Sequence, residues 1–198
     1  MDFKKIPINP KFFGQDTVKV AKDILGKLLI RETRHNTLIG RIVETEAYRG
    51  SDDPASHSYR GITKRNEIMF GKPGIAYVYF TYGTHFCLNV VTEKQGIAAA
   101  VLIRAIEPLE GINEMKRNRN VEDLTKVASG PGKLTKAFQI TRDENGLDIT
   151  KKSSYLKIYE TNKPEEFQIV ETTRIGIRLA KEFPWRFYIQ DNPHVSKK

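Results

Sequence analysis

Residues 74–107 read GIAYVYFTYGTHFCLNVVTEKQGIAAAVLIRAIE, and this stretch decides the fold. It holds three runs rich in β-branched, aromatic and other apolar residues: Gly74 to Tyr82, His85 to Glu93 and Ile97 to Glu107. Such runs are strand-forming. Lys94-Gln95-Gly96 fits a hairpin turn between the second and third, and Gly83 fits a turn between the first and second. A meander of antiparallel strands is therefore expected here.

Working outward, KLLIRET (27–33) and LIGRIVETEAY (38–48) read as two more strands, with Asn36 in the turn between them. DTVKVAKDILG (16–26) reads as a helix. Asp16 caps its start, Gly26 ends it, and Val18, Ala21, Ile24 and Leu25 form its apolar stripe. Arg49 to Thr63 is a long loop of Gly, Ser, Asp and Pro, a length that often serves function. Thr63 is expected to cap a short helix, KRNEIMF, which Gly71 stops. After Pro108 a helical stripe of Leu109, Ile112 and Met115 leads into the basic KRNRN, and SGPGKLTKAF (129–138) opens a short helix. SSYLKIYE, TTRIGI and RFYIQ suggest further short strands. No repeat or linker divides the chain. The expectation is one α+β domain over residues 1–198, a mostly antiparallel curved β-sheet with flanking helices, whose residues 190–198 form a frayed tail.

The 198 residues suffice for a sizeable core. A net charge of +9 favours a polyanionic partner, nucleic acid being the commonest. One cysteine, Cys87, forbids an intrachain disulfide, and the four scattered histidines show no zinc spacing. The N-terminus has no apolar signal region, and the longest apolar run, IAAAVLI, is too short to cross a bilayer. No membrane association and no metal are expected, and the location should be intracellular: cytoplasm or nucleoid in a bacterium, nucleus in a eukaryote.

Four constellations carry chemistry. In RIVETEAYRG (41–50) strand alternation puts Glu44, Glu46 and Tyr48 on one face. Alone, that face reads as the wet side of an edge strand, although a tyrosine beside a carboxylate more often lines a cleft. In AYVYFTYG, Tyr77 and Phe80 read as core aromatics, while three tyrosines in six residues also suit base stacking. Tyr82, at the turn, can project as a wedge into a duplex. Arg104 interrupts an apolar strand and calls for a buried carboxylate partner. SGPGKL is a weak phosphate-loop candidate that lacks the P-loop ending, and the loop histidine His57 is incidental by itself.

Together, VETEAY, a loop ending in AxHS, RN..MF, KPG.AYVYF.YG, FC.N, VLIRA.EPLEG and SGPGKL, in this order, resemble the alkyladenine (3-methyladenine) DNA glycosylases, from Phe12-Phe13-Gly14 through Phe187-Tyr188-Ile189. The resemblance implies a monofunctional enzyme, without cofactor, that acts as a monomer on double-stranded DNA containing a damaged purine. It implies Glu46 as general base and Arg104 as its partner in holding water. Tyr48, His57 and Tyr79 would enclose a flipped base, and Asn89 would exclude normal guanine. Tyr82 would enter the minor groove, while Ser129, Gly130 and Lys133 would hold the DNA backbone. The chain departs from the family pattern at Thr84-His85, where relatives carry a bulky apolar or aromatic pair, so the grip of these two residues on DNA is open. Two other readings use the same residues: a non-catalytic DNA- or RNA-binding module, and a glycosidase for sugars or free nucleosides. Glu44, on the face of Glu46, is expected to support it or to be partly solvated.

Overall fold

The computed structural model describes residues 5–34, 36–81, 83–161 and 165–197. Among them are nine strands and three α-helices. The strands are β1 (Lys5–Pro7), β2 (Leu28–Glu32), β3 (Thr37–Tyr48), β4 (Ala76–Thr81), β5 (His85–Val91), β6 (Ala100–Glu110), β7 (Leu156–Thr161), β8 (Ile169–Thr172) and β9 (Arg186–Ile189). The helices are α1 (Thr17–Asp23), α2 (Ile112–Arg119) and α3 (Pro131–Ala137).

The strands join in one sheet in the order β1-β7-β2-β3-β6-β5-β4, and β9 pairs with both β3 and β8. Each of these pairings is antiparallel. The meander of residues 74–107 thus forms as expected, and with the helices it makes an α+β fold. β3 is not an edge strand. β6 covers one of its edges, and β2 and then β9 share the other. Its register against β6 shifts on either side of Glu44, a bulge that re-aims the strand where the carboxylates begin.

α1 starts at the Asp16 cap, whose side chain accepts from Lys19 N–H. It packs Val20 and Ala21 into the core, and the Thr45 hydroxyl donates to the Ala21 carbonyl at 2.7 Å. That contact assigns the Val43-Thr45-Ala47 face of β3 to the core and leaves Glu44, Glu46 and Tyr48 on the other face. α3 buries Leu134 and Ala137, and the Thr135 hydroxyl donates to the Phe86 carbonyl of β5 at 2.9 Å.

Several expectations need correction. The short helix expected over 64–70 is a 3-10 turn of Glu67–Phe70, preceded by Asn66 rather than capped by Thr63. Pro108 and Leu109 still belong to β6, and α2 begins only at Ile112, after Gly111 turns the chain at φ 75°. TTRIGI is not a strand: β8 ends at Thr172, and Arg174–Ile177 runs as irregular chain. Phe80 is 41% exposed and leans on Phe86, whereas Tyr77 is buried as expected. The segment after β9 is held rather than loose, for His194 is buried and Ser196 bonds to Glu44. Among the described residues no helix is long and apolar enough to cross a membrane.

Candidate active site

A cleft of about 440 Å³ opens over the β3–β6–β5–β4 region of the sheet. Tyr48, Tyr79, Asn89 and Arg104 line it from the sheet, and His57 lines it from the long loop. The segment Ile175–Leu179 adds a further wall, while His85 and Pro131 also border the cleft.

Glu46 lies behind this lining and is fully buried. Three groups seal it. Tyr48 Oη donates to Oε2 at 2.8 Å, the Ile175 N–H donates to Oε1 at 2.7 Å, and Arg104 Nη1 stands 3.2 Å from Oε1. Burial raises its pKa above the ordinary carboxylate value, and Arg104, Ile175 N–H and Tyr48 only partly offset that. Among the described residues Oε2 accepts this one bond from Tyr48, and a carboxylate oxygen has two lone pairs.

Glu44 is equally buried, so the expectation of partial solvation fails, while that of support stands. Its Oε1 accepts from Arg104 Nε at 2.9 Å, Arg186 Nε at 2.7 Å and Ser196 Oγ at 2.8 Å, and its Oε2 accepts from Ser196 N–H at 2.6 Å. Burial is again the largest influence and works upward. Here Arg104, the Ser196 N–H and Arg186 outweigh it, and the pKa falls below the ordinary value. One arginine thus bridges two carboxylates whose surroundings push them in opposite directions. Acid–base sites use such opposed surroundings to give two carboxylates different roles, and structural ion-pair networks produce them as well.

The aromatic residues gather from two elements. His57 stands edge to face against Tyr79, with ring centroids 4.5 Å apart, and its Nδ1 is 3.0 Å from Tyr77 Oη. Burial, helped by the nearby Arg65 guanidinium, pushes the imidazole down to about 4, so the ring is neutral at pH 7. Burial raises the Tyr77 hydroxyl to about 12 and the Tyr79 hydroxyl further, so both keep their protons. Burial also raises the Cys87 thiol to about 11, which leaves it a weak partner for Tyr79 and not a nucleophile. Arg174 stacks on the Tyr48 ring at 4.7 Å. Asn89 donates from Nδ2 to the Tyr77 carbonyl at 3.0 Å, which fixes its amide at the cleft.

The residues expected to meet DNA are placed differently: Thr84 and Lys133 are exposed, whereas Ser129 and Gly130 are buried. His85 lines the cleft, and its Nδ1 is 2.8 Å from the hydroxyl of Thr84, which is exposed and outside the lining. Lys133 is exposed and donates to Ser129 Oγ at 3.3 Å; neither these two nor Gly130 lines the cleft. Tyr82 falls outside the described residues.

Sequence reasoning missed four contributors. Ile175 acts through its backbone N–H, which no side-chain pattern reveals. Arg174 and Asp53 form a buried pair across 121 residues. Asn66 sews the loop together: its Nδ2 donates to the carbonyls of His57 at 2.8 Å and Gly61 at 3.0 Å, and its Oδ1 accepts from Thr63 N–H. The available signal for Asn66 was its place just past the loop, before the apolar Ile68-Met69-Phe70, where an asparagine side chain can bond nearby backbone.

A buried carboxylate–arginine pair beneath an aromatic cleft, in a strongly basic chain, has the make-up of a site that acts on nucleic-acid bases. The family model described as methylpurine-DNA glycosylase matches residues 11–193. The chain is 52% identical over 188 residues to a protein of Carboxydothermus hydrogenoformans, covering 95% of this chain and 97% of that one. It is 48% identical to a protein of Alkaliphilus oremlandii, covering 95% and 98% of the two chains. It is 50% identical to one of Methanoculleus marisnigri, covering 94% and 97%. All three relatives are provisionally named 3-methyladenine DNA glycosylase. The chain belongs to the methylpurine-DNA glycosylase family, and so to the DNA glycosylases.

Proposed function

We propose that this protein is a monofunctional base-excision repair glycosylase. It takes alkylated or deaminated purines out of duplex DNA: 3-methyladenine, 7-methylguanine, hypoxanthine and 1,N6-ethenoadenine. It works inside the cell, as a monomer, and leaves an abasic site without cutting the strand. The observation that carries this reading is Glu46, a buried carboxylate held by Arg104, Tyr48 and the Ile175 N–H directly behind an aromatic cleft.

A base inside a duplex cannot be reached, so the target nucleotide must be extruded at an unstacking cost of a few kcal/mol. Stacking against Tyr48, His57 and Tyr79 offsets that cost, at about 1–3 kcal/mol per stacked base. Tyr82 fills the space left behind, and Asn89 opposes the amino group of normal guanine. Ser129, Gly130 and Lys133 hold the flanking backbone, and Thr84 and His85 meet the DNA beside Tyr82.

Cleavage then follows an oxocarbenium-like course. A water attacks C1′, its proton passes to Glu46, and the electron pair of the C1′–N bond leaves with the purine. Glu46 has the raised pKa that suits a base. Arg104 keeps it ionised and oriented. A cationic N3- or N7-alkylated purine leaves as a neutral base, whereas hypoxanthine needs a proton or strong hydrogen bonds as it departs. The neutral imidazole of His57 and the electron-rich tyrosine rings favour a cationic base over a neutral one. A non-catalytic binder would gain nothing from Glu46, because a buried carboxylate repels phosphate.

The test is base release from duplexes carrying each of the four lesions, with Glu46→Gln alongside. We expect single-turnover release to fall on the order of 10²–10⁴-fold in the variant while lesion binding persists. Undiminished release by Glu46→Gln would sink the mechanism.

A further inference from the structure

Ser196 lies in the segment that follows β9, 152 residues from Glu44, yet it makes two hydrogen bonds to that carboxylate. Its N–H donates to Oε2 at 2.6 Å and its hydroxyl to Oε1 at 2.8 Å. Arg104 Nη2 stands 3.3 Å from Ser196 Oγ and donates to it. The Arg104 guanidinium is therefore used along three directions: Nε on Glu44, Nη1 on Glu46 and Nη2 on Ser196. A guanidinium is a rigid plane. Fixing Nε and Nη2 fixes where Nη1 points.

The segment carrying Ser196 is itself secured. Asn192 Nδ2 donates to Glu107 Oε2 at 3.2 Å, the Asn192 Oδ1 accepts from His194 N–H at 2.9 Å, and His194 is buried. Arg186, which also serves Glu44, donates to the Lys197 carbonyl.

We propose that Ser196 is a positioning residue of the active site: it aligns the Arg104 guanidinium so that Nη1 meets Glu46, and it satisfies Glu44 so that Arg104 is not drawn wholly onto that carboxylate. The kinetic side of this inference rests on the glycosylase reading; the alignment does not.

The direction of the effect follows from what surrounds Glu46. Arg104 faces it from β6, Glu44 and Tyr48 from β3, and Cys87 from β5. Arg186 on β9 acts through Glu44, and Arg174 stacks on the Tyr48 ring. Among the described residues Arg104 is the cation in contact with Glu46. Without the Ser196 hydroxyl, Glu44 Oε1 keeps only its two arginine donors and pulls Arg104 toward itself. Nη1 then withdraws from Glu46. Burial goes unopposed to that extent, and Glu46 holds its proton to higher pH.

The experiment compares wild type, Ser196→Ala and Ser196→Thr. Carbon-13 NMR of labelled glutamate reads the Glu46 titration without substrate, and single-turnover excision across pH reads its consequence. We expect Ser196→Ala to raise the Glu46 midpoint by about 1 unit, a partial loss of a charge contact that can move a carboxylate by 1–3 units. Excision on the acid side should then fall about tenfold, with the alkaline plateau and lesion affinity unchanged. Ser196→Thr, which keeps the hydroxyl, should follow wild type. An unmoved Glu46 midpoint in Ser196→Ala would overturn the proposal, as would an excision loss equal at every pH. If wild type releases no base from any duplex while the midpoint still moves, the alignment stands and the glycosylase reading falls.

Discussion

Asp53 and Arg174 form a bidentate ion pair whose side chains are both fully buried, with Nη1–Oδ2 at 2.6 Å and Nη2–Oδ1 at 2.8 Å. The pair joins the loop that carries His57 to the segment that carries Ile175. Asp53 also accepts from the N–H groups of Arg49 and Ala55, and Arg174 also donates to the Ala47 carbonyl at 3.0 Å. Arg174 sits between the rings of Tyr48, at 4.7 Å, and Trp185, at 5.1 Å. Removing one partner leaves the other charged and buried. Asp53→Asn is expected to lower unfolding free energy by about 3–5 kcal/mol, measured by chemical denaturation. A loss below 1 kcal/mol would mean that water or another group takes the place of the carboxylate.

His57 offers a pH test. Its neutral form is the one the fold favours, since burial and then Arg65 depress its pKa to about 4 from an ordinary 6.5. A base depressed on folding adds stability that is complete above 6.5 and is lost as pH falls from 6.5 toward 4. More than a third of His57 is exposed, so solvent screening keeps that contribution small. The titration itself is the better measurement. Imidazole NMR should show a midpoint well below 6.5 in wild type, and Arg65→Met should raise it. A midpoint at or above 6.5 would contradict the packing of the ring.

Gly132 is a third point of attack. A Cβ there would lie 2.5 Å from His85 Cδ2 and 3.0 Å from His85 Cβ, so the imidazole rests directly on the glycine. Gly132→Ala should displace His85 and cost about 1–3 kcal/mol of stability by overpacking. Binding to undamaged duplex should weaken with it. Denaturant unfolding and fluorescence anisotropy at fixed salt measure the two effects. Unchanged affinity alongside lost stability would remove His85 from the DNA interface.

The sheet was legible because its strands are long, apolar and closely linked in sequence. Local pattern sufficed for the hairpins of residues 74–107 and for α1 with its Asp16 cap. It failed where tertiary context decides. Pro108 reads as a break, yet it remains in β6 opposite Gly40. TTRIGI has strand composition, but Arg174 is drawn to a buried aspartate and the chain beside it serves Glu46 through a backbone donor. Phe80 reads as core, but it lies on a hairpin arm with an exposed face. The Glu44–Arg104 and Glu46–Arg104 contacts were foreshadowed by a lone arginine in an apolar run. The sharing of one guanidinium between both carboxylates could not be foreseen, because it depends on the β3 bulge and on Ser196.

That bulge bears on how the protein can change over generations. On one side of Glu44, β3 pairs with β2 through Thr37 to Arg41, and on the other it pairs with β9 through Glu44 to Glu46. A one-residue slip in a regular strand turns every later side chain to the opposite face. An insertion or deletion in the connection between β2 and β3 alters that connection alone, because the pairing with β6 and β9 fixes the register of Glu46. A deletion between Glu44 and Tyr48 has no such latitude and would turn the chemistry inward onto α1. The connection before the strand is therefore open to variation in length, and the stretch from Glu44 to Tyr48 is not.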